Sequence, residues 1–232
     1  MKHLLLYALL LLFLPGTAFA QSDSNPTVNI SMLSLGSGTI TEYLDSRSGA
    51  ALSCQSLLQA AQRNNDQVPA SNDSFICLAD ALETAGMMGL LDGEGPFTLF
   101  APSDQAFYDA ADEIGLDVDN ENNFMSMAPD PLTALLSYHV LNEGRSLRSI
   151  YLSSEAGAMS MYTGTTAEGT PLVVGFPSSS AADDGMTPVM VGDDAMITSS
   201  GNVTPQAFVN GATIQVDNGY IIPIDTVLMP PR

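Results

Sequence analysis

The chain has 232 residues, 6 Lys and Arg against 26 Asp and Glu, a formal net charge of −20, and a hydrophobic share of 45%. Nucleic acid and anionic lipid surfaces are excluded as principal partners, because both require cationic side chains to neutralise phosphate. The hydrophobic share and its patterning exclude a disordered acidic chain, and the length suits one domain plus an extension.

The first twenty residues read as a signal peptide. Lys2 and His3 precede an apolar run from Leu4 to Leu14, Pro15-Gly16 breaks it, and Ala18 and Ala20 occupy the small-residue positions of a cleavage site between Ala20 and Gln21. The run is too short to span a bilayer, and no other stretch approaches 18 apolar residues, so no membrane insertion is expected. Cleavage removes the one lysine. It leaves 212 residues (232 less 20) with five Arg and a net charge of −21. The expected location is secreted or periplasmic, and the style of the leader points to a bacterial host.

Residues 21–73 form an N-terminal extension. Its start is rich in Ser, Gly, Thr and Asn, with β-prone runs at 27–31 and 39–41. Residues 51–63 read as its one short helix, followed by a polar loop at 64–72. The main domain, 74–232, opens with Asp73 or Ser74 as a helix cap. Phe75, Leu78, Ala79, Leu82 and Ala85 then share one helical face, and Gly86 stops the helix. A strand is expected at 97–100. Pro102-Ser103-Asp104 then caps a helix whose first apolar residues are Ala106 and Phe107.

Residues 117–123 set oxygen-bearing side chains at alternate positions, as at the start of a calcium loop. Asn122 stands in place of the turn glycine and Ala128 in place of the bidentate Glu, so the segment reads as an acidic loop with a weak, hydrated cation site as the alternative. Asp130-Pro131 starts a helix carrying Leu132, Leu135, Leu136 and Tyr138.

After His139 the chain becomes β-rich, with expected strands at 159–162, 171–176, 188–191, 195–198, 206–209, 212–216 and 220–222. Asn210-Gly211 and Asp217-Asn218-Gly219 read as turns in which glycine supplies positive φ. Pro223 lacks an N–H and is expected at an edge or bulge. Helices first and hairpin-linked strands later give an α+β fold.

Cys54 and Cys77 are the only cysteines. In an exported chain they most simply form one disulfide, tying the extension helix to the first domain helix across a 22-residue loop. His139 is the one histidine left after cleavage, so no structural zinc or other dedicated metal site is expected. No catalytic or phosphate-binding motif is present, and 26 carboxylates alone define no acid–base pair. The expectation is a non-enzyme without a cofactor.

Residues 97–107 (Phe-Thr-Leu-Phe-Ala-Pro-Ser-Asp-Gln-Ala-Phe), Tyr138-His139 and the segment 218–231 resemble, in order, three signatures of the fasciclin domain, an extracellular adhesion module. The resemblance covers about residues 74–231. It implies a compact β-wedge or sandwich with a helical layer, here as a single module. Ile222 stands where many relatives carry a His in the closing strand. In some animal relatives the Tyr-His motif is linked to integrin recognition, which makes Tyr138 and His139 the candidate binding residues. Their chemistry also suits a structural role, with a ring to bury, a hydroxyl to satisfy and an imidazole to bridge backbone groups.

The resemblance implies an exported adhesion or matrix-association protein. Its expected partners are a cell-surface protein or extracellular polysaccharide, with weak divalent cations bridging acidic surfaces. A secreted or periplasmic binding module for a small molecule or polysaccharide is the alternative.

Overall fold

A computed structural model describes residues 28–48, 53–64, 67–68, 74–113, 129–154, 159–177, 186–193 and 206–231. The leader with its Ala20–Gln21 site, the 117–123 run and the expected strand at 195–198 lie outside the described residues. In chain order the elements are β1 (Val28–Asn29), β2 (Leu33–Leu35), α1 (Ile40–Ser48), α2 (Cys54–Arg63), α3 (Ile76–Thr84), α4 (Met88–Leu91), β3 (Phe97–Pro102), α5 (Asp104–Glu113), α6 (Pro129–Ser137), β4 (Val140–Leu141), α7 (Leu147–Ser153), β5 (Met159–Thr165), β6 (Pro171–Pro177), β7 (Met186–Thr187), β8 (Met190–Gly192), β9 (Ala207–Phe208), β10 (Thr213–Val216) and β11 (Gly219–Ile224). The fold is α+β.

A mixed five-stranded sheet, ordered β2-β10-β11-β3-β4, divides the protein. Side chains alternate across it, as the two-residue strand period demands. Leu99, Ala101, Ile214, Val216 and Ile221 face one core, shared with α1, α2, α3, α5 and α6. Phe100, Leu141, Ile222 and Ile224 face a second core, closed by α7 and the antiparallel sheet β5-β6-β8-β9. The sheet is thus covered by helices on one side and by a second sheet on the other, which explains why β3 and β11 read as continuous apolar runs.

Residues before 74 are built into this arrangement. β2 pairs in parallel with β10, and Ile40, Tyr43, Leu44, Leu57, Leu58 and Ala61 enter the helical core. Cys54 and Cys77 form the disulfide that joins α2 to α3.

Local signals explain most boundaries. Gly86, at φ 69°, closes α3: its N–H donates to the Glu83 carbonyl and Met87 N–H reaches back to Leu82. Ser103 Oγ accepts from Ala106 N–H at 3.3 Å and starts α5.

Several expectations are corrected. Residues 39–41 are not a strand. Thr39 and Glu42 form a reciprocal capping box, with Thr39 N–H donating to Glu42 Oε2 at 2.9 Å and Glu42 N–H to Thr39 Oγ1 at 3.3 Å, and α1 follows. Asp73 or Ser74 is not the N-cap of α3. That place is held by Phe75, whose side chain makes no capping bond, and Asp104 Oδ1 arrives from α5 to accept Cys77 N–H at 2.7 Å. Helix α6 begins at Pro129, one residue before the expected Asp130 cap. Helix α7 falls between His139 and the first expected strand of the β-rich part, where no element was assigned, and is started by Ser146 Oγ accepting from Ser149 N–H.

Pro223 lies in the central strand β11, opposite Ala101 of β3. Its carbonyl accepts Asn210 N–H at 3.1 Å, so its missing N–H faces the side where β10 has already ended and no β3 bond is lost. Gly219 is likewise a strand residue and not a positive-φ turn residue. A Cβ there would stand 2.2 Å from the Phe97 carbonyl oxygen, so close strand approach is what requires glycine.

Candidate functional site

Helix α6 delivers Tyr138 and His139 into the seam between the two cores, and both are fully buried. His139 Nδ1 lies 2.9 Å from the Leu135 carbonyl, which can only accept, so Nδ1 carries the proton. Nε2 is then the acceptor for Leu228 N–H at 2.9 Å. The ring therefore bridges the end of α6 and the segment after β11. The His139 carbonyl accepts Phe100 N–H from β3 at 2.8 Å. Burial opposes a charged ring and lowers the His139 pKa from 6.5 to about 4, with the Leu135 carbonyl acting in the opposite direction. Tyr138 packs its ring into the second core and donates its hydroxyl to the Pro171 carbonyl at 3.4 Å. With both nitrogens engaged and no exposed edge, His139 offers neither a lone pair nor a proton to a solute in this arrangement.

Sequence reasoning treated Asn218 as a turn residue and missed its reach. Its Oδ1 accepts Ile40 N–H at 2.9 Å, and its Nδ2 donates to the carbonyls of Leu91 and Gly93 at 2.7 and 2.8 Å. Its place in the Asp217-Asn218-Gly219 turn was visible, but nothing local signals partners so remote. Asp104 and Asp225 have pKa values raised above 3.8, chiefly by burial and against the backbone N–H groups that each accepts. Both carboxylates hold backbone: Cys77 N–H for Asp104, and Phe208 N–H at 2.8 Å for Asp225.

A partly exposed polar group sits between β4 and α7. Glu143 accepts from Arg145 Nε at 2.7 Å and from the Tyr162 hydroxyl, and the Arg145 guanidinium lies 5.2 Å from the Tyr162 ring centre. Arg145 also donates to Ser153 Oγ at 3.0 Å, so the group is engaged with itself. Among the described residues, no three His, Cys, Asp or Glu side chains converge as a metal centre requires.

Among the described residues, one surface feature with binding character lies at β2. A cleft of about 270 Å³ opens between α1 and the sheet, lined by Ser34, Tyr43, Arg47, Ala212, Ile214 and Pro223. The Arg47 guanidinium lies over the Tyr43 ring, 5.2 Å from its centre. Beside the cleft, Met32, Leu33 and Leu35 are 60%, 46% and 82% exposed. Leu33 and Leu35 continue the second face of the sheet past the edge of its cover. Arg148 of α7 donates to Ser31 Oγ at 2.9 Å and borders the same strand.

A sheet covered by helices on one side and by strands on the other, pinned through a buried Tyr-His pair, is the architecture that the three sequence signatures imply. Residues 73–230 match the family model described as the Fasciclin domain, and the chain belongs to that family. Protein sll1483 of Synechocystis is 28% identical over 165 residues, covering 71% of this chain and 72% of that protein. Human stabilin-1 is 32% identical over 84 residues, covering 36% of this chain, and mouse stabilin-1 is 33% identical over 79 residues, covering 34%. The chain spans only 3% of either stabilin. A solved FAS1 domain pair from the insect cell adhesion molecule Fasciclin I aligns over 64% of this chain and 40% of that one, at 18% identity and a TM-score of 0.41.

Proposed function

We propose that this protein is exported and acts without catalysis in adhesion, associating with a cell surface or extracellular matrix through its fasciclin domain. The observation that carries the reading is the family match over residues 73–230. Supporting it are the leader-like first twenty residues and the exposed apolar side chains along β2. The buried Tyr138 and His139 are better suited to holding the domain together than to touching a partner, so contact falls to other surfaces. The exposed apolar side chains beside the 270 Å³ cleft suit contact with a macromolecular partner. The acidic surface adds a role for divalent cations at millimolar levels, bridging carboxylates on the protein to those on its target.

The test is retention of purified residues 21–232 on host cell envelope and on extracellular polymer, with and without chelator. Saturable retention that falls when chelator is added is expected. Recovery in the wash from every fraction would overturn the adhesive reading, and retention indifferent to chelator would remove the cation bridge. N-terminal sequencing of the exported protein should begin at Gln21.

A further inference from the structure

The Cys54–Cys77 bond lies inside the helical core and not on its rim. The two half-cystines are 1% and 0% exposed, and they share one apolar cluster with Leu57, Leu58, Leu78 and Phe107. Thiol–disulfide exchange requires a thiolate to reach a sulfur from outside, so this enclosure removes the path of attack. Burial in apolar surroundings also disfavours the thiolate, which is the form that attacks, so a reduced pair would be inert in its turn.

A helix start ordinarily works the other way and favours a thiolate. Cys54 is the first residue of α2, and Cys77 is the second of α3. Here each of their N–H groups is already taken by a carboxylate. Cys54 N–H donates to Asp80 Oδ2 at 2.7 Å, and Cys77 N–H donates to Asp104 Oδ1 at 2.7 Å. Each helix start is thus met by an acidic side chain, and a thiolate beside it would face like charge.

The enclosure depends on late parts of the chain. Ile214, Val216 and Ile221, from β10 and β11, belong to the cluster that holds the cysteines. Before those strands arrive, Cys54 and Cys77 are only 23 residues apart in sequence and need no distant segment in order to meet.

We propose that the Cys54–Cys77 bond is made by an oxidant of the disulfide class acting before the helical core closes, and that the folded protein is then locked in that redox state, shut to thiols and oxidants alike. The thiolate of one cysteine attacks the oxidant's disulfide, forming a mixed disulfide and releasing one oxidant thiolate. The thiolate of the other cysteine attacks the first cysteine's sulfur, forming the Cys54–Cys77 bond and releasing the second oxidant thiolate. The oxidant takes up the two electrons and two protons that the pair gives up and ends as thiols. Where the chain meets that oxidant rests on the export reading, since disulfides form in oxidising compartments. The bond is therefore a permanent staple and not a redox switch.

The test incubates oxidised residues 21–232 with dithiothreitol at about pH 8 without denaturant, traps released thiols by alkylation and counts them by mass spectrometry. Reduction is expected to be at least about a hundredfold slower than for the same chain unfolded in urea. Ile222→Val is the discriminating variant. Ile222 belongs to the second core, across the sheet from the disulfide, so the change speeds reduction only if the whole domain must open. An acceleration of about 2- to 10-fold is expected, in proportion to the stability that the variant loses in urea unfolding. In the reverse arm, chain refolded in reductant and then given oxidised glutathione should form the bond at least about tenfold more slowly than chain held in urea.

Reduction of the folded protein that falls short of this slowing overturns the proposal. So does a reduction rate unmoved by Ile222→Val, which would assign access to fraying of α2 alone. Closure of the bond in folded, reduced chain at the rate seen in urea overturns it as well. If the lock holds in the purified protein while material from the exporting host carries free thiols, the export reading falls and the lock stands.

Discussion

Asn218 holds Ile40 across 178 residues of sequence, its Oδ1 accepting the Ile40 N–H at 2.9 Å in a buried setting. Its amide group satisfies the carbonyls of Leu91 and Gly93 as well. One side chain thereby joins the start of α1, the end of α4 and the turn between β10 and β11.

Asn218→Ala should be among the most damaging single changes. It strips the partner from one N–H and two carbonyls, and groups left unsatisfied in a buried place cost about 1 to 3 kcal/mol each. A total loss of about 3 kcal/mol is expected in urea unfolding, with the slope unchanged. A midpoint equal to that of the wild type would mean that water takes over all three bonds.

A chain beginning at residue 74 should fail to fold. It lacks Ile40, Leu44, Leu57 and Leu58 from the helical core, each contributing about 1.5 to 3 kcal/mol by burial, against a typical domain stability of about 5 to 15 kcal/mol. It also loses the partner of Cys77. Near-ultraviolet circular dichroism should show no fixed aromatic environment for it and a native signal for residues 21–232. A cooperative melt from the shorter chain would put the folding boundary at 74 after all.

Replacing both Cys54 and Cys77 with Ser should lower stability by about 3 kcal/mol, the chain-entropy value for a loop of this length. The helices α2 and α3 stay packed through Leu57, Leu58 and Leu78, so the double variant should still fold. Peptide mapping without reductant, on protein taken from the exporting host, should find no free thiol. Two free thiols in folded material would break the link between export and the α2–α3 staple.

His139 should make stability depend on pH in one direction. The unfolded ring titrates near 6.5 and the buried one near 4, so the unfolded chain takes up the proton first. Stability from the neutral bridge is complete above pH 6.5 and is lost as pH falls toward 4, by about 3 kcal/mol in all. Asp104 and Asp225 act oppositely, because their raised pKa values let the folded chain bind protons first as pH falls. Comparing the wild type with His139→Ala isolates the imidazole. The variant should be less stable at neutral pH, and the gap should narrow on going from about pH 7.5 to about pH 5. A gap independent of pH would show that the ring does not titrate across this window.

How much was legible follows from where each signal resides. Gly86, Ser103 and the apolar face of α3 act within one or two turns of backbone, and sequence carries such information openly. The α+β class was legible for the same reason, as was the pairing of the only two cysteines. The Thr39–Glu42 capping box was equally local. It was overlooked because Thr-Ile-Thr also satisfies strand propensity, and the reciprocal Glu three residues on decides between them. Gly219 and Pro223 were recognised as special for the wrong physical reason. Their roles depend on Phe97 and Asn210, brought alongside by the sheet, and no window around either residue contains those neighbours. The cleft was invisible because Ser34, Tyr43 and Pro223 meet only after β2 has paired with β10. The Tyr138-His139 pair was found by resemblance, while its anchor at Leu228 required the fold.

The position of β11 imposes an order of events on synthesis. It lies between β10 and β3, so the strand that bridges the two halves of the sheet, residues 219–224, is made after every other strand of that sheet. Until it is available, β3 has no partner on that side and both cores stand open along their midline. Contacts between such distant segments close slowly, because the loop entropy is spent before the contact is made. The fasciclin domain therefore remains incompletely folded until β11 emerges, and a chain cut short before β11 would be recognised by proteases as unfolded.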